Sequence, residues 1–530
     1  MRSTTTSVIE GSSDLVQNEA AKKVKHTATR RQIRGSSLLL LGQFLSKGVN
    51  FVIQVMIVRY LAKSDFGAFA YALSIVAVGE TIATFGLDRA ITRFVPIYHE
   101  QRDYNKMFGT IFMVLGTMFS LGAAMVLLFY GLQGFLLNTF IKDQQAVALL
   151  LIMIFLSPVQ AFDGVLEGMF AVFSKPSAIF FRKYVLGPGL KLLVVIFLIY
   201  GHSGVKFLAG GYVAAAVLAV VIFSVVLVKV LRDLNLFQHL NWRSIQIPVR
   251  DILAFTVPLL ASDLVYVVMN SVDAVLLEHF HGFVDVAALR AVQPTAKLNQ
   301  LVLSSFGLLF TPAAARMFAR NDREAVNDLY WQNAIWIAVA SFPIFALTFS
   351  LAKPITVLLF SERYEQSALI LALLSFGYYF NAALGQNGLT LKVFGMVKYI
   401  VVIDVFVAIL NLGVNLILIP IYGAMGAAIG TFSVLVIFNL LKQAGLKFGT
   451  GINIFDWHYL RVYLIIGLSA MSLFLFQVFT SASAYISIAV ATIVSIIVLR
   501  LNRHSLNVEQ TFPELLRFPL MKYFFGKKVE

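Results

Sequence analysis

Charged and amide side chains recur at helical spacing inside stretches that are otherwise apolar. Gln43, Lys47, Asn50 and Gln54 follow i, i+4, i+7, i+11 and fall within an arc of about 60° on a helix. Arg290, Gln293 and Lys297 share a second face, and Pro294 beside them frees a backbone carbonyl. Asp263, Tyr266, Asn270 and Asp273 occupy about 80° of a third face, and Asp404, Asn411 and Asn415 about 40° of a fourth. Glu80, Asp163 and Glu167 stand in further apolar stretches. Cations so placed suit an anionic group such as a diphosphate. Arg290 would offer a fork of donors, and Lys47 and Lys297 point charges. The amides Gln43, Asn50 and Gln293 would line the same cavity. Carboxylates inside a membrane carry protons or coordinate Na⁺, so Asp263 and Asp273 are candidates for coupling to an H⁺ or Na⁺ gradient. The alternative is that these acids only neutralise Lys47, Arg290, Lys297 or their neighbours.

The elements that hold these residues are apolar runs. The chain of 530 residues is 59% hydrophobic and 13% charged, with a mean hydropathy of +0.82. A soluble domain carries about 25% charged residues. Runs of roughly 20 apolar residues span a bilayer core. They predict fourteen transmembrane helices at about 36–62, 66–87, 107–132, 145–171, 177–201, 205–231, 251–279, 285–315, 326–352, 364–391, 397–420, 423–447, 459–481 and 483–502. With the N-terminus in the cytoplasm, 32 of 42 Lys and Arg fall in cytoplasmic segments, six outside and four within helices. That alternation obeys the positive-inside rule and predicts both termini in the cytoplasm. A mid-bilayer charge costs about 2.5–3.5 kcal/mol, so four lipid-exposed cations would cost roughly 10–14 kcal/mol. They must face a partner or water.

The net charge of +15 is spread in short clusters between apolar runs, which argues for a membrane protein and against nucleic acid. There is no cysteine, so thiolate metal sites and cysteine nucleophiles are excluded. The sequence carries no P-loop and no metal-ligand spacing of histidines, and His279 and His281 read as loop residues. No segment outside the membrane is long enough for a catalytic domain. No catalytic residue, metal site or bound cofactor is expected. The first apolar run is too long for a signal peptide and lacks a cleavage site.

Residues 1–34 read as a disordered basic tail, 35–232 as an N-lobe of six helices, and 233–250 as a cytoplasmic linker. Residues 251–449 form a C-lobe of six, 450–502 two extra helices, and 503–530 an amphipathic cytoplasmic tail that either rests on the membrane interface or is solvated. KSDFGAFAYALSI resembles FVDVAALRAVQP, and RFVPIYHEQRDYNKM resembles LFTPAAARMFARNDREAV, at offsets of 216–220 residues. Six helices per repeat make it parallel, with a substrate site expected between the lobes. Arg89 and Arg93 in GLDRAITRF stand at the cytoplasmic mouth of the second helix, as a gate or headgroup contact or as ordinary positive-inside charges. Gly423, Gly426 and Gly430 permit close helix approach, and the Gly-Pro-Gly at 187–189 predicts a bend.

The chain resembles the polysaccharide-transport branch of the multidrug/oligosaccharidyl-lipid/polysaccharide exporter superfamily, the Wzx-type flippases. The resembling segments are GQFLSKGVNFVIQVMIVRYLAKSDFGAFAYALSIV, FGLDRAITRFVPIY, FTVPLLASDLVYVVMNSVDAVLL and NAALGQNGLTLKVFGMVKYIVVIDVFVAILNLGVNLILIPIYGAMGAAIGT, and the resemblance covers residues 35–450. It implies an all-α polytopic protein with two six-helix lobes around a central cavity, in the cell inner membrane. It implies movement of a polyprenyl-diphosphate-linked oligosaccharide to the outer leaflet for O-antigen, capsule or exopolysaccharide synthesis. In such flippases a cationic cavity meets the diphosphate and sugars, which Lys47, Arg290 and Lys297 fit by type and position. Membrane lipids and the polysaccharide polymerase machinery are the partners implied, and a monomer suffices. A drug or cation antiporter and a lipid II flippase of the same superfamily are the alternatives.

Overall fold

The computed structural model describes residues 41–135, 143–173 and 176–506. The basic tail at 1–34 and almost all of the tail at 503–530 lie outside the described residues. Among the described residues every regular element is helical. The spans are α1 Leu41–Tyr60, α2 Lys63–Glu100, α3 Tyr104–Gly131, α4 Gln144–Val172, α5 Ser177–Tyr200, α6 Val205–Asp233 and α7 Val249–His281. A bent pair, Phe283–Gly307 and Phe310–Ala319, forms α8, and α9 and α10 are Arg323–Ser350 and Glu362–Val393. Val397–Thr450 runs 54 residues with a non-helical break at Gly423. At 1.5 Å per residue it would reach about 80 Å, far beyond a core of about 30 Å. It is therefore two spans, α11 (397–422) and α12 (424–450). Trp457–Thr480 is α13 and Ala484–Leu501 is α14. Among the described residues twelve helices are long and apolar enough to cross a membrane, thirteen with the bent pair counted as one span, and dividing the 54-residue helix at Gly423 brings the number to the fourteen that the hydropathy predicts.

The breaks have identifiable causes. In α2 the chain turns at Phe85 and Gly86, both at positive φ. A side chain on Gly86 would meet the Thr256 carbonyl. Past the turn, Asp88–Glu100 is amphipathic and buries Ala90, Ile91, Val95 and Tyr98. These pack in one cluster with Val165, Met169 and Phe170 of α4. In α5 the residues before Gly187 form a π-helical turn, Phe180–Leu186. Such turns mark strain or function.

Contacts divide the chain into two units. Of the described residues, one contains 41–53, 79–131, 151–173 and 176–261; the other contains 54–78, 132–135, 143–150 and 262–506. In the first unit the segment after α6 is held down. Tyr104 stacks on His239 at 4.1 Å and Phe112 on Trp242 at 5.0 Å. The Gln246 carbonyl lies so close to Gly109 that any Cβ there would be 1.9 Å from it. The expected linker is thus a packed strap.

In the second unit Gly67 of α2 meets the backbone of Phe283 with no room for a Cβ, and Tyr71 meets the Phe283 ring edge-on at 5.7 Å. Arg363 donates to the Arg59 carbonyl at 2.6 Å, satisfying the C-terminal end of α1. The α11–α12 break is held from α7 and α8. His281 Nε2 lies 2.8 Å from the Ile419 carbonyl, and the Ala424 amide donates to Asp285 at 2.8 Å. Here His281 takes a structural role in α7 rather than the loop position expected of it.

Gly423→Ala should destabilise the protein by roughly 1–3 kcal/mol for its backbone alone, because φ is +54°. The added Cβ would also sit 2.1 Å from Asp285 Oδ2. Thermal unfolding in detergent measures this. An unshifted midpoint would show that the break tolerates a side chain.

Candidate functional site

In the second unit, Pro294 cannot donate to the carbonyl four residues earlier, that of Arg290. Gln54 of α1 donates to that carbonyl instead, at 3.0 Å. The Arg290 side chain is saturated on its far side. Its Nη2 donates to Asp273 Oδ1 and to the Asn270 carbonyl, each at 2.8 Å. Its Nη1 donates to Gln293 Oε1 at 2.9 Å. The side chains of Asp273 and Arg290 are 6% and 16% exposed, so this is an ion pair in low dielectric. Its Nε is buried without a partner among the described residues. Gln293 is itself buried, and its work is to orient Arg290.

Lys297 differs from Arg290. It lies two turns along α8, is exposed, and sits in the field of both Arg290 and Asp273. No carboxylate among the described residues is within ion-pair distance of it. Asp263, three turns before Asp273 on α7, is half-buried.

In the first unit, Gln43, Lys47 and Asn50 are exposed on α1. Asn50 turns its amide back to the Ser46 carbonyl at 2.8 Å. Lys47 has no carboxylate within ion-pair distance among the described residues. Gly42 seats this helix, because a Cβ there would strike the Tyr184 ring at 2.3 Å. Tyr184 belongs to the π-helical turn of α5.

That turn carries a cluster that the spacing of charges alone does not reveal. Arg182, 2% exposed, forms an ion pair with Asp163. Its Nε donates to Oδ1 at 2.8 Å and its Nη2 to the Asp163 carbonyl at 2.6 Å. Lys183 donates to both Glu167 oxygens at 2.7 and 2.8 Å. Lys191 lies in the field of Asp163 and Glu80. Counting by the positive-inside rule assigns Arg182 and Lys183 to the cytoplasmic side; the structure shows in addition that they are counter-ions to Asp163 and Glu167 of α4. The legible half of this signal is the i, i+4 spacing of Asp163 and Glu167. The π turn that brings both cations round to it is not legible.

Arg89 and Arg93 are exposed on the Asp88–Glu100 segment. The Arg93 guanidinium rests 4.3 Å from the Phe255 ring centre, a cation–π contact. Asp404 is exposed on α11, in the field of Lys442 and Lys392. Asn415 donates to Asn411 at 3.2 Å in the interior.

The arrangement separates two kinds of cation. Arg290 and Arg182 are neutralised in place and stiffen their units. Lys47 and Lys297 are exposed and have no carboxylate within ion-pair distance among the described residues.

Comparison with known proteins agrees with a transporter architecture. A family model described as polysaccharide biosynthesis protein matches residues 33–316, and the MatE model matches residues 258–417. An uncharacterised membrane protein of Methanocaldococcus jannaschii is 22% identical over 422 residues, covering 76% of this chain and 81% of its own. The lipid II flippase MurJ in an inward closed conformation superposes with a TM-score of 0.69 at 15% identity, covering 88% of this chain and 99% of its own. A multidrug resistance MATE family transporter of the MOP superfamily, inward-facing, superposes with a TM-score of 0.61 at 14% identity, covering 75% and 94%. At such identities the likeness to the solved structures carries the fold alone.

Asp273→Ala should destabilise by about 3–5 kcal/mol, because it strands the Arg290 charge. Adding Arg290→Met should recover most of that loss in a double-mutant cycle read by thermal unfolding. Lys183→Ala, at a half-exposed pair, should cost at most about 1 kcal/mol. Equal costs for Asp273→Ala and Lys183→Ala would refute the distinction drawn from burial.

Proposed function

The chain belongs to the polysaccharide biosynthesis protein family, and from that premise we infer that it is a flippase for lipid-diphosphate-linked oligosaccharides. The observation that carries this reading is that each unit has an exposed lysine on a helix that crosses the membrane, Lys47 in the first and Lys297 in the second. Each would cost about 2.5–3.5 kcal/mol facing lipid, and neither is offset by an ion pair among the described residues. A diphosphate supplies the missing anion, and an ammonium is a competent point-charge ligand for it. Arg290 positions the site through Asp273, Asn270 and Gln293. Arg89 and Arg93 would meet headgroups at the cytoplasmic end of α2.

On this reading both termini are cytoplasmic, and the substrate passes from the inner to the outer leaflet by alternating access. The product then feeds a polysaccharide polymerase. Coupling to H⁺ or Na⁺ falls to Asp263 rather than Asp273, since freeing Asp273 for an ion would strand Arg290. The MatE match over residues 258–417 favours one second reading, export of drugs or cations.

Lys47→Gln and Lys297→Gln should each slow translocation roughly 10–100-fold, as expected for loss of one charge-assisted hydrogen bond, with little change in thermal stability. The readout is mass spectrometry of lipid-linked oligosaccharides in producing cells, with outer-leaflet exposure probed by an impermeant glycosidase. Full outer-leaflet exposure in cells lacking the gene would overturn the flippase reading and leave the exporter reading to be tested by drug resistance.

A further inference from the structure

The polar face of α8 does not stop at Lys297. Gln300, Ser304, Gly307 and Thr311 continue it at i+3, i+7, i+10 and i+14, within an arc of about 80° on a regular helix. The helix is not regular there. A 3₁₀ turn occupies Leu298–Gln300, and the axis bends by 44° between Gly307 and Phe310. Mid-helix 3₁₀ turns and broken spans are where transporters bind their cargo. Beside the bend, in the second unit, lies a cleft of about 620 Å³ between α8 and α10. Its size falls in the roughly 300–1,000 Å³ range of ligand sites.

The cleft has no charged lining residue; most of its surface is apolar, with a few amides and hydroxyls set into it. Gln300, Ser304 and Thr311 line it from α8, and Asn381 and Gln386 from α10. Gln386 is committed to structure, donating to the Leu303 carbonyl at 2.6 Å. Ser304 and Thr311 donate to carbonyls of their own helix and keep acceptor lone pairs. The amides of Gln300 and Asn381 make no hydrogen bond among the described residues. Leu303, Pro312 and Leu389 add apolar surface. Gly307 keeps the floor open, since a Cβ there would meet Leu389 at 3.1 Å and the Gln386 amide at 3.3 Å.

We propose that this cleft is the saccharide subsite of the transporter. An amide both donates and accepts, as a sugar hydroxyl does. The apolar side chains suit the C–H face of a pyranose ring, and no cation competes for an anion within the cleft. Lys297 stands one turn before Gln300, about 5 Å along the axis. A diphosphate held at Lys297 therefore presents its first sugars to the cleft. The cationic half of α8 binds the linkage, and the neutral half binds the cargo. This inference rests on the flippase reading.

The test uses the full-length protein in nanodiscs and native mass spectrometry. The probes are the lipid-linked oligosaccharide pool extracted from producing cells and the same pool stripped of its sugars by mild acid. The double variant Gln300→Ala/Asn381→Ala should bind the intact pool about tenfold more weakly, the equivalent of a net hydrogen bond or two. It should bind the stripped pool as the unaltered protein does. Lys297→Gln should weaken both. Gln300→Asn, which keeps an amide, should retain part of the preference for the intact pool. Equal weakening of both pools by the double variant, or none, overturns the subsite. If the unaltered protein binds both pools equally, the cleft is excluded and the flippase reading stands. If it binds neither pool, the flippase reading fails and the subsite with it.

Discussion

The cost of charge in hydrocarbon governs this structure. Each basic residue inside a span must meet a carboxylate, or reach water or an anion. The protein uses both solutions. Arg290 and Arg182 are spent against Asp273 and Asp163. Arginine suits this use, because its planar fork satisfies a carboxylate and a backbone carbonyl together. Both arginines do so, reaching the Asn270 and Asp163 carbonyls. The lysines at 47 and 297 are exposed and have no carboxylate within ion-pair distance among the described residues.

Backbone groups obey the same constraint. A buried N–H or C=O without a partner costs as much as a lost hydrogen bond, so each break in a span needs a donor or acceptor from elsewhere. Gln54 covers the carbonyl freed by Pro294. His281 and Asp285 cover the two sides of the α11–α12 break. Tyr330 donates to the Leu384 carbonyl where α10 is interrupted between Ala383 and Asn387. These partners come from other spans, so each break also fixes the register between two helices. The bend in α8 is tied in the same way, since Gln386 of α10 donates to the Leu303 carbonyl just before it.

Most of the architecture is legible in the hydropathy. The predicted boundaries of α3, α6 and α13 lie within three residues of those observed. A run of twenty apolar residues has one outcome in a bilayer, and it depends on nothing distant. The break at Pro420–Gly423 is legible as composition, but its form, a division of two spans at a positive φ, is not. Gly187–Gly189, where composition predicts a bend, continues as helix directly after a π turn. The strap after α6 is not legible in the sequence, because its stacking on Tyr104 and Phe112 joins residues more than 100 positions apart.

The candidate site divides along the same line. By itself the sequence determined which residue types share a helical face, since 100° per residue places Gln43 with Lys47, and Arg290 with Gln293 and Lys297. That periodicity also ran on through Gln300, Ser304 and Thr311, where uncharged side chains made it easy to overlook. Only the tertiary structure decided which cations are neutralised. Arg290 and Lys297 read alike in the sequence, yet one is locked to Asp273 and the other is open. Neutralisation depends on the approach of a different helix to within 3 Å, and helical periodicity carries no information about that distance.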